Sequence, residues 1–429
     1  MKEYEIRYRS LPNDVRHLEI MMPERETASC MVLVKTGSRN EIEKGEAGIS
    51  HALEHKIYLG SRKRSGSDRG FAVDRLGSNE SASTEKEYTQ YYINLRYNHL
   101  PKALELLSEI FKNPTFPRGV VKIENESIVG EIKDYRDDFQ STVEEEFESL
   151  LYNGSEMAEH ILGNPRSVKS QSKRDLLNYM NKWYRGKNMM VVLAGNVKRT
   201  GKLVEKYFGS LAAGPAPSFE GRAIFGKPDT KVITKNTDQA HFVVGVPGLS
   251  LGDPEYFTMR AIEVILGGHQ VLDDRTVQTS KIFTQVRSKR GLAYEISTMT
   301  FSGADSGYLI VSGSAQPNNL NKTLDIVRKE MYGLSQSVTR EDVAIAKQFL
   351  VDFLTTELDT PEKAALLIGV PTLFLDRRII PSEMFATVDA IDLKKVRSLA
   401  ERLLIQSEER LVVLGPFDKN LRRVPKSER

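Results

Sequence analysis

Two histidines with a glutamate between them carry the clearest chemistry in this chain: His51-Ala52-Leu53-Glu54-His55, inside GISHALEHKIYLGS. On a helix, residues four apart share a face, so His51 and His55 can offer two imidazoles to one ion. Glu54 follows His51 by three positions and borders that face, placed to take a proton from a metal-bound water. The spacing H-x-x-E-H is that of metal-assisted hydrolysis. A catalytic zinc ion takes three protein ligands and keeps one position open, so a third donor must come from another element. Residues 118–138, RGVVKIENESIVGEIKDYRDD, read as a helix with Val121, Ile128, Ile132 and Tyr135 as its apolar stripe. Glu124 and Glu131 lie seven apart on it and project alike, as a ligand and its hydrogen-bonded helper would. Spacing alone does not select Glu131 from the other glutamates there.

These residues need elements to hold them. Ile49, Leu53 and Ile57 recur every fourth residue, which predicts a helix starting at Gly48 or Ser50. YYINLRY alternates, with Tyr91, Ile93, Leu95 and Tyr97 on one face of a half-buried strand. The chain also repeats itself. RDLLNYMNKWY, a connector and MMVVLAG (174–195) match DLKKVRSLAERLL, a connector and LVVLG (392–415), so Val192 and Val412 are equivalent, half a chain apart. A length of 429 residues exceeds the roughly 250–300 that one core supports. The seam, AAGPAPSFE, carries two prolines and no periodicity. The expected fold is α+β: two homologous domains, each a mixed β-sheet with helices packed on one face. The expected boundaries are 1–213, a linker at 214–228, and 229–429.

Composition excludes several classes. Sixty-one Lys and Arg against 58 Asp and Glu leave a formal charge of +3, which argues for no nucleic-acid partner. No apolar run approaches the roughly 20 residues of a membrane helix. MKEYEIRYRS lacks the apolar stretch of a signal peptide, and the single Cys30 forms no internal disulfide, so a cytoplasmic location is expected. Cys30 reads as strand core. Arg62, Lys63, Arg64 and Arg69 read as a solvated basic loop, and Glu144, Glu145, Glu146 and Glu148 as an exposed helix face. His17, His99, His160, His241 and His269 lack metal-like spacing and read as surface residues.

Together these stretches resemble the pitrilysin and mitochondrial-processing-peptidase family of zinc peptidases. The resemblance extends over nearly the whole chain: VLVKTGSRNE, HALEH, LGSNESASTEKEYTQYY, HILGNPRSV, NKWYRGKNMMVVLAGNV and QVRSKRGLAYEI all match its landmarks. It implies that His51, His55 and Glu131 hold one zinc per chain, with Glu54 as general base and Glu124 in support. It implies that Arg287 and Tyr294 of the second domain engage substrate, and that the domains close as a clamshell. Ser81, Ala82, Ser83 and Thr84 match the edge strand that pairs with substrate backbone. Ser81 stands where the family has Asn and Ser78 where it has Gly, and residues 269–280 replace a shorter turn. The implied activity is an endopeptidase or oligopeptidase acting on a peptide or small unfolded protein, in a homodimer or a heterodimer with a related chain. A non-catalytic partner subunit is the alternative, and the intact HALEH, Glu131, Arg287 and Tyr294 argue against it. A thioether lyase would need a catalytic cysteine, and Cys30 lies upstream in a strand.

Overall fold

The computed structural model describes residues 4–215, 221–267 and 276–417. His269, part of the 269–280 loop and part of the expected linker lie outside them. Among the described residues the chain forms two mixed sheets with helices against each.

The first sheet has strands β1 (Glu5–Ser10), β2 (Arg16–Met21), β3 (Thr27–Val34), β4 (Asn79–Thr84), β5 (Thr89–Arg96) and β6 (Met189–Gly195). Their order is β1-β2-β6-β3-β5-β4. β2 and β6 run parallel, and the other neighbours are antiparallel. β3 and β6 are apolar on both faces because both faces are covered. On one side, Cys30, Val32, Tyr91, Ile93 and Leu193 join a core with Leu104 and Leu107 of helix Leu100–Lys112 and Tyr179 of helix Lys173–Trp183. β5 alternates as expected, but Tyr97 falls in a 3₁₀ turn after the strand and is 40% exposed.

The second sheet has β7 (Thr230–Thr234), β8 (Ala240–Gly248), β9 (Ala293–Ser302), β10 (Gly307–Ala315) and β11 (Arg410–Gly415), in the order β7-β11-β8-β10-β9. The repeat read in the sequence appears here as topology. β6 and β11 each run parallel to one neighbour (β2, β7) and antiparallel to the other (β3, β8).

The compact units do not follow a single cut at 214–228. One gathers Met1–Lys133, Glu159–Gly221 and Thr356–Glu383; the other gathers Asp134–Ala158, Arg222–Thr355 and Met384–Arg429. The halves have exchanged helices. Pro361–Leu375, capped by Thr360 with proline at its first position, packs on β3 and β6 of the first sheet. Its Gly369 lets the helix approach, since a Cβ there would sit 3.1 Å from Leu33 and 3.2 Å from Val192. Reciprocally, Phe139–Leu151, capped by Asp138, packs Val143, Phe147 and Leu151 on Val243, Ile310 and Val412 of the second sheet. The acidic run on this helix is therefore not an exposed face. Glu148 accepts a hydrogen bond from the buried Tyr308 at 2.7 Å, and burial pushes the Glu144 carboxyl up. The basic loop is largely neutralised as well. Lys63 and Arg64 pair with Glu105 and Glu109, and buried Arg69 pairs with Glu80. His17 is not a surface residue: it is 1% exposed between Arg9 and Thr200, and burial pushes its imidazole down to about 4.

The HALEH helix spans Ile49–Lys56. Ile49, Leu53 and Ile57 enter the first core, while Ala52 meets Ile128, Val129 and Ile132 of helix Arg118–Asp137. Gly48 caps its start at φ 78°, and a Cβ there would sit 2.6 Å from the Leu162 carbonyl oxygen. Gly48→Ala should cost about 1–3 kcal/mol through backbone strain. That corresponds to roughly 2–4 °C of melting temperature per kcal/mol, checked by calorimetry of the metal-free protein.

Candidate metal centre

The two helices bring three donor side chains together. His51 Nε2 and His55 Nε2 lie 3.2 Å apart, and Glu131 places Oε1 3.5 Å from the first and Oε2 3.4 Å from the second. Tetrahedral zinc with bonds of about 2.0–2.1 Å spaces its ligands at about 3.3 Å, so this triangle has the right size. Glu54 also brings an oxygen within 4.8 Å of both imidazoles, which leaves a His51–Glu54–His55 set geometrically open. Glu131 makes the tighter contacts with the two imidazoles, and Glu54 Oε2 accepts a hydrogen bond from Thr84 Oγ1 at 3.0 Å.

Surrounding groups orient the imidazoles. Glu124 Oε1 lies 2.8 Å from His55 Nδ1. With a proton on Nδ1 for that carboxylate, Nε2 keeps its lone pair toward His51 and Glu131. His51 Nδ1 is buried with no hydrogen-bond partner among the described residues. The hydrogen bond from His51 holds the Glu131 carboxyl below its ordinary value against the opposing effect of burial. Burial pushes Glu54 up, opposed by His51, His55 and Thr84. Such a set can bind a divalent cation and keep one carboxylate beside it for proton transfer.

Several contributors carry no sequence signal of their own. Glu41 takes the Gly48 N–H at 2.6 Å and the Ser50 N–H at 2.8 Å, replacing the side-chain cap that the HALEH helix lacks. Tyr179 OH bridges Ser50 Oγ at 2.7 Å and Thr36 Oγ1 at 2.9 Å. Lys56 is buried within Coulomb reach of Glu124, and burial pulls its ammonium down to about 8.

The remaining expected residues fall into two groups. Ser81, Ala82, Ser83 and Thr84 lie on β4, an edge strand that pairs with β5. Arg287 and Tyr294 sit together in the second unit, with the guanidinium 4.7 Å from the Tyr294 ring centroid and 5.3 Å from that of Phe283. Tyr294 is the second residue of β9 and is 72% exposed, while Arg287 Nη1 is buried without a hydrogen-bond partner among the described residues.

Residues 18–165 match the model for "Insulinase (Peptidase family M16)", and residues 170–350 match that for "Peptidase M16 inactive domain". An uncharacterized zinc protease of Bacillus subtilis (strain 168) is 28% identical over 94% of this chain and 97% of its own length. The mitochondrial-processing peptidase subunit beta of Bos taurus is 25% identical over 94% of this chain and 83% of its own. Among solved structures, a protease from Helicobacter pylori superposes with a TM-score of 0.87 at 18% identity, covering 97% of this chain and 100% of that one. Complex III2 from Candida albicans contains a chain matching at a TM-score of 0.84 and 20% identity, covering 97% and 99%. The chain belongs to peptidase family M16, the insulinase and pitrilysin family.

Proposed function

We propose that this chain is a zinc-dependent peptide hydrolase in which His51, His55 and Glu131 hold the metal and Glu54 is the general base. The donor triangle of 3.2–3.5 Å, with a further carboxylate at its side, carries the reading. A bound zinc ion would lower the pKa of a water molecule and polarise the scissile carbonyl. Glu54 takes the proton of the attacking water and passes it to the leaving amine, a role for which its half-buried, partly desolvated carboxylate suits it. Glu124 fixes the tautomer of His55. β4 offers unpaired backbone groups to an extended peptide. Arg287 and Tyr294 engage substrate by the family resemblance, as a charge for a carbonyl or carboxylate and a hydroxyl donor; Arg287→Ala should raise KM, and an unchanged KM would remove it from that role.

A second reading is a subunit that works with a related chain, favoured by the relatives named as beta subunits of mitochondrial-processing peptidase. Sedimentation of the purified chain alone, together with its peptidase activity, separates the two. A lone inactive chain that gains activity with a sibling favours the subunit.

Two measurements test the site itself. Purified protein should hold about one zinc per chain by elemental analysis, and His51→Ala little; Glu124→Ala should weaken zinc binding about 10–100-fold in chelator competition. Full zinc retention in His51→Ala would overturn the ligand assignment. Glu54→Gln should keep zinc and peptide binding but lose about 10²–10⁴-fold in turnover of a quenched peptide. Near-parental turnover would show that Glu54 is not the base.

A further inference from the structure

We infer that Thr84 is a positioning residue for Glu54: its hydroxyl holds one carboxylate oxygen so that the other faces the metal side. This rests on the reading of Glu54 as general base.

Thr84 ends β4, is 8% exposed, and donates from Oγ1 to Glu54 Oε2 at 3.0 Å. Glu54 Oε1 has no hydrogen bond among the described residues. The terminal torsion of a glutamate is broad and two-fold, so an untethered carboxylate would sample both faces. One donor on one oxygen breaks that equivalence. A β-branched residue suits the task, because its χ1 is restricted and the hydroxyl direction follows the backbone.

That backbone is itself fixed. The β4–β5 turn lies against the segment Gly37–Glu41: Ser38 N donates to Glu85 O at 3.4 Å and Arg39 N to Lys86 O at 2.8 Å. No side chain fits at Gly37, whose Cβ would sit 2.0 Å from the Glu85 carbonyl oxygen. Buried Arg39 pairs with buried Glu87, and Thr89 Oγ1 donates to Thr36 O at 2.8 Å. The same segment ends in Glu41, which caps the HALEH helix. One stretch of five residues thus braces the strand that carries Thr84 and the helix that carries Glu54. The Thr84–Glu54 distance is set by main-chain hydrogen bonds and buried ion pairing, not by the side chains alone.

The test uses the full chain with Thr84→Val, which keeps shape and strand preference but removes the donor, and Thr84→Ser, which keeps the hydroxyl. With zinc bound, Thr84→Val should lower kcat about 10–100-fold, the scale of one hydrogen bond to a charged group. KM and zinc content should be unchanged, and Thr84→Ser should recover most of the loss. A general packing defect would not spare KM and metal content while being rescued by serine. In metal-free protein, Thr84→Val should lower the melting temperature by about 2–4 °C with Glu54 present and by less than half that in the Glu54→Ala background. Equal shifts in both backgrounds, or a Thr84→Val kcat within twofold of the parent, would overturn the inference. If the parent cleaves no peptide, the peptidase reading fails, and the metal-free cycle still decides whether Thr84 holds Glu54.

Discussion

His51 Nε2 and His55 Nε2 lie 3.2 Å apart beside the Glu131 carboxylate, so either a shared proton or a cation must keep two nitrogen lone pairs from facing each other. That constraint organises this half of the molecule. Glu54, Glu124 and Glu131 bring three negative charges to a partly buried cluster, and Lys56 offsets one of them. A divalent ion would bring the group to neutrality, which is what a low-dielectric setting favours. The packing follows. The HALEH helix turns one edge into the sheet core and its Ala52 toward Ile128, Val129 and Ile132, so the imidazoles face the glutamate helix across a small apolar contact.

Position in such a site is held from outside it. The HALEH helix is short and begins at a glycine, so its own sequence supplies neither a cap nor an acidic first turn. Glu41 and Tyr179 provide what it lacks, through buried hydrogen bonds. Networks of this kind are costly if half-made and rigid when complete. His51, Glu54 and His55 thus sit on a helix whose location is set by a loop and by a tyrosine from far along the chain.

What the sequence disclosed follows from the range of each signal. The H-x-x-E-H spacing is local and maps directly onto a helix face, so His51, Glu54 and His55 were readable from period alone. Glu131 was not, because its helix carries several glutamates of similar spacing; only the family resemblance picked it out. The helix–strand repeat was readable at Val192 and Val412, and β6 and β11 do occupy matching places in their sheets. Amphipathic spacing shows that a helix has a buried face but not which sheet it meets. The exchange of Phe139–Leu151 and Pro361–Leu375 was invisible for that reason, and Glu144 and Glu148 were misread with it. Thr84 was legible as part of an edge strand, while its bond to Glu54 depends on tertiary placement.

The exchanged helices also set an order of events during synthesis. β3 ends at Val34 and β6 at Gly195, yet the helix that covers Leu33 and Val192 ends only at Leu375. By strand alternation Met31 and Met190 share that face. A nascent chain that has completed all six strands of the first sheet therefore still presents this apolar strip to solvent, with more than half of the polypeptide unmade. Closing the loop costs little entropy at equilibrium, since that cost grows only logarithmically with length, but the contact cannot form before the segment exists. Translation past Leu375 thus gates burial of that face, and a ribosome stalled earlier leaves the strip open to chaperones or to aggregation.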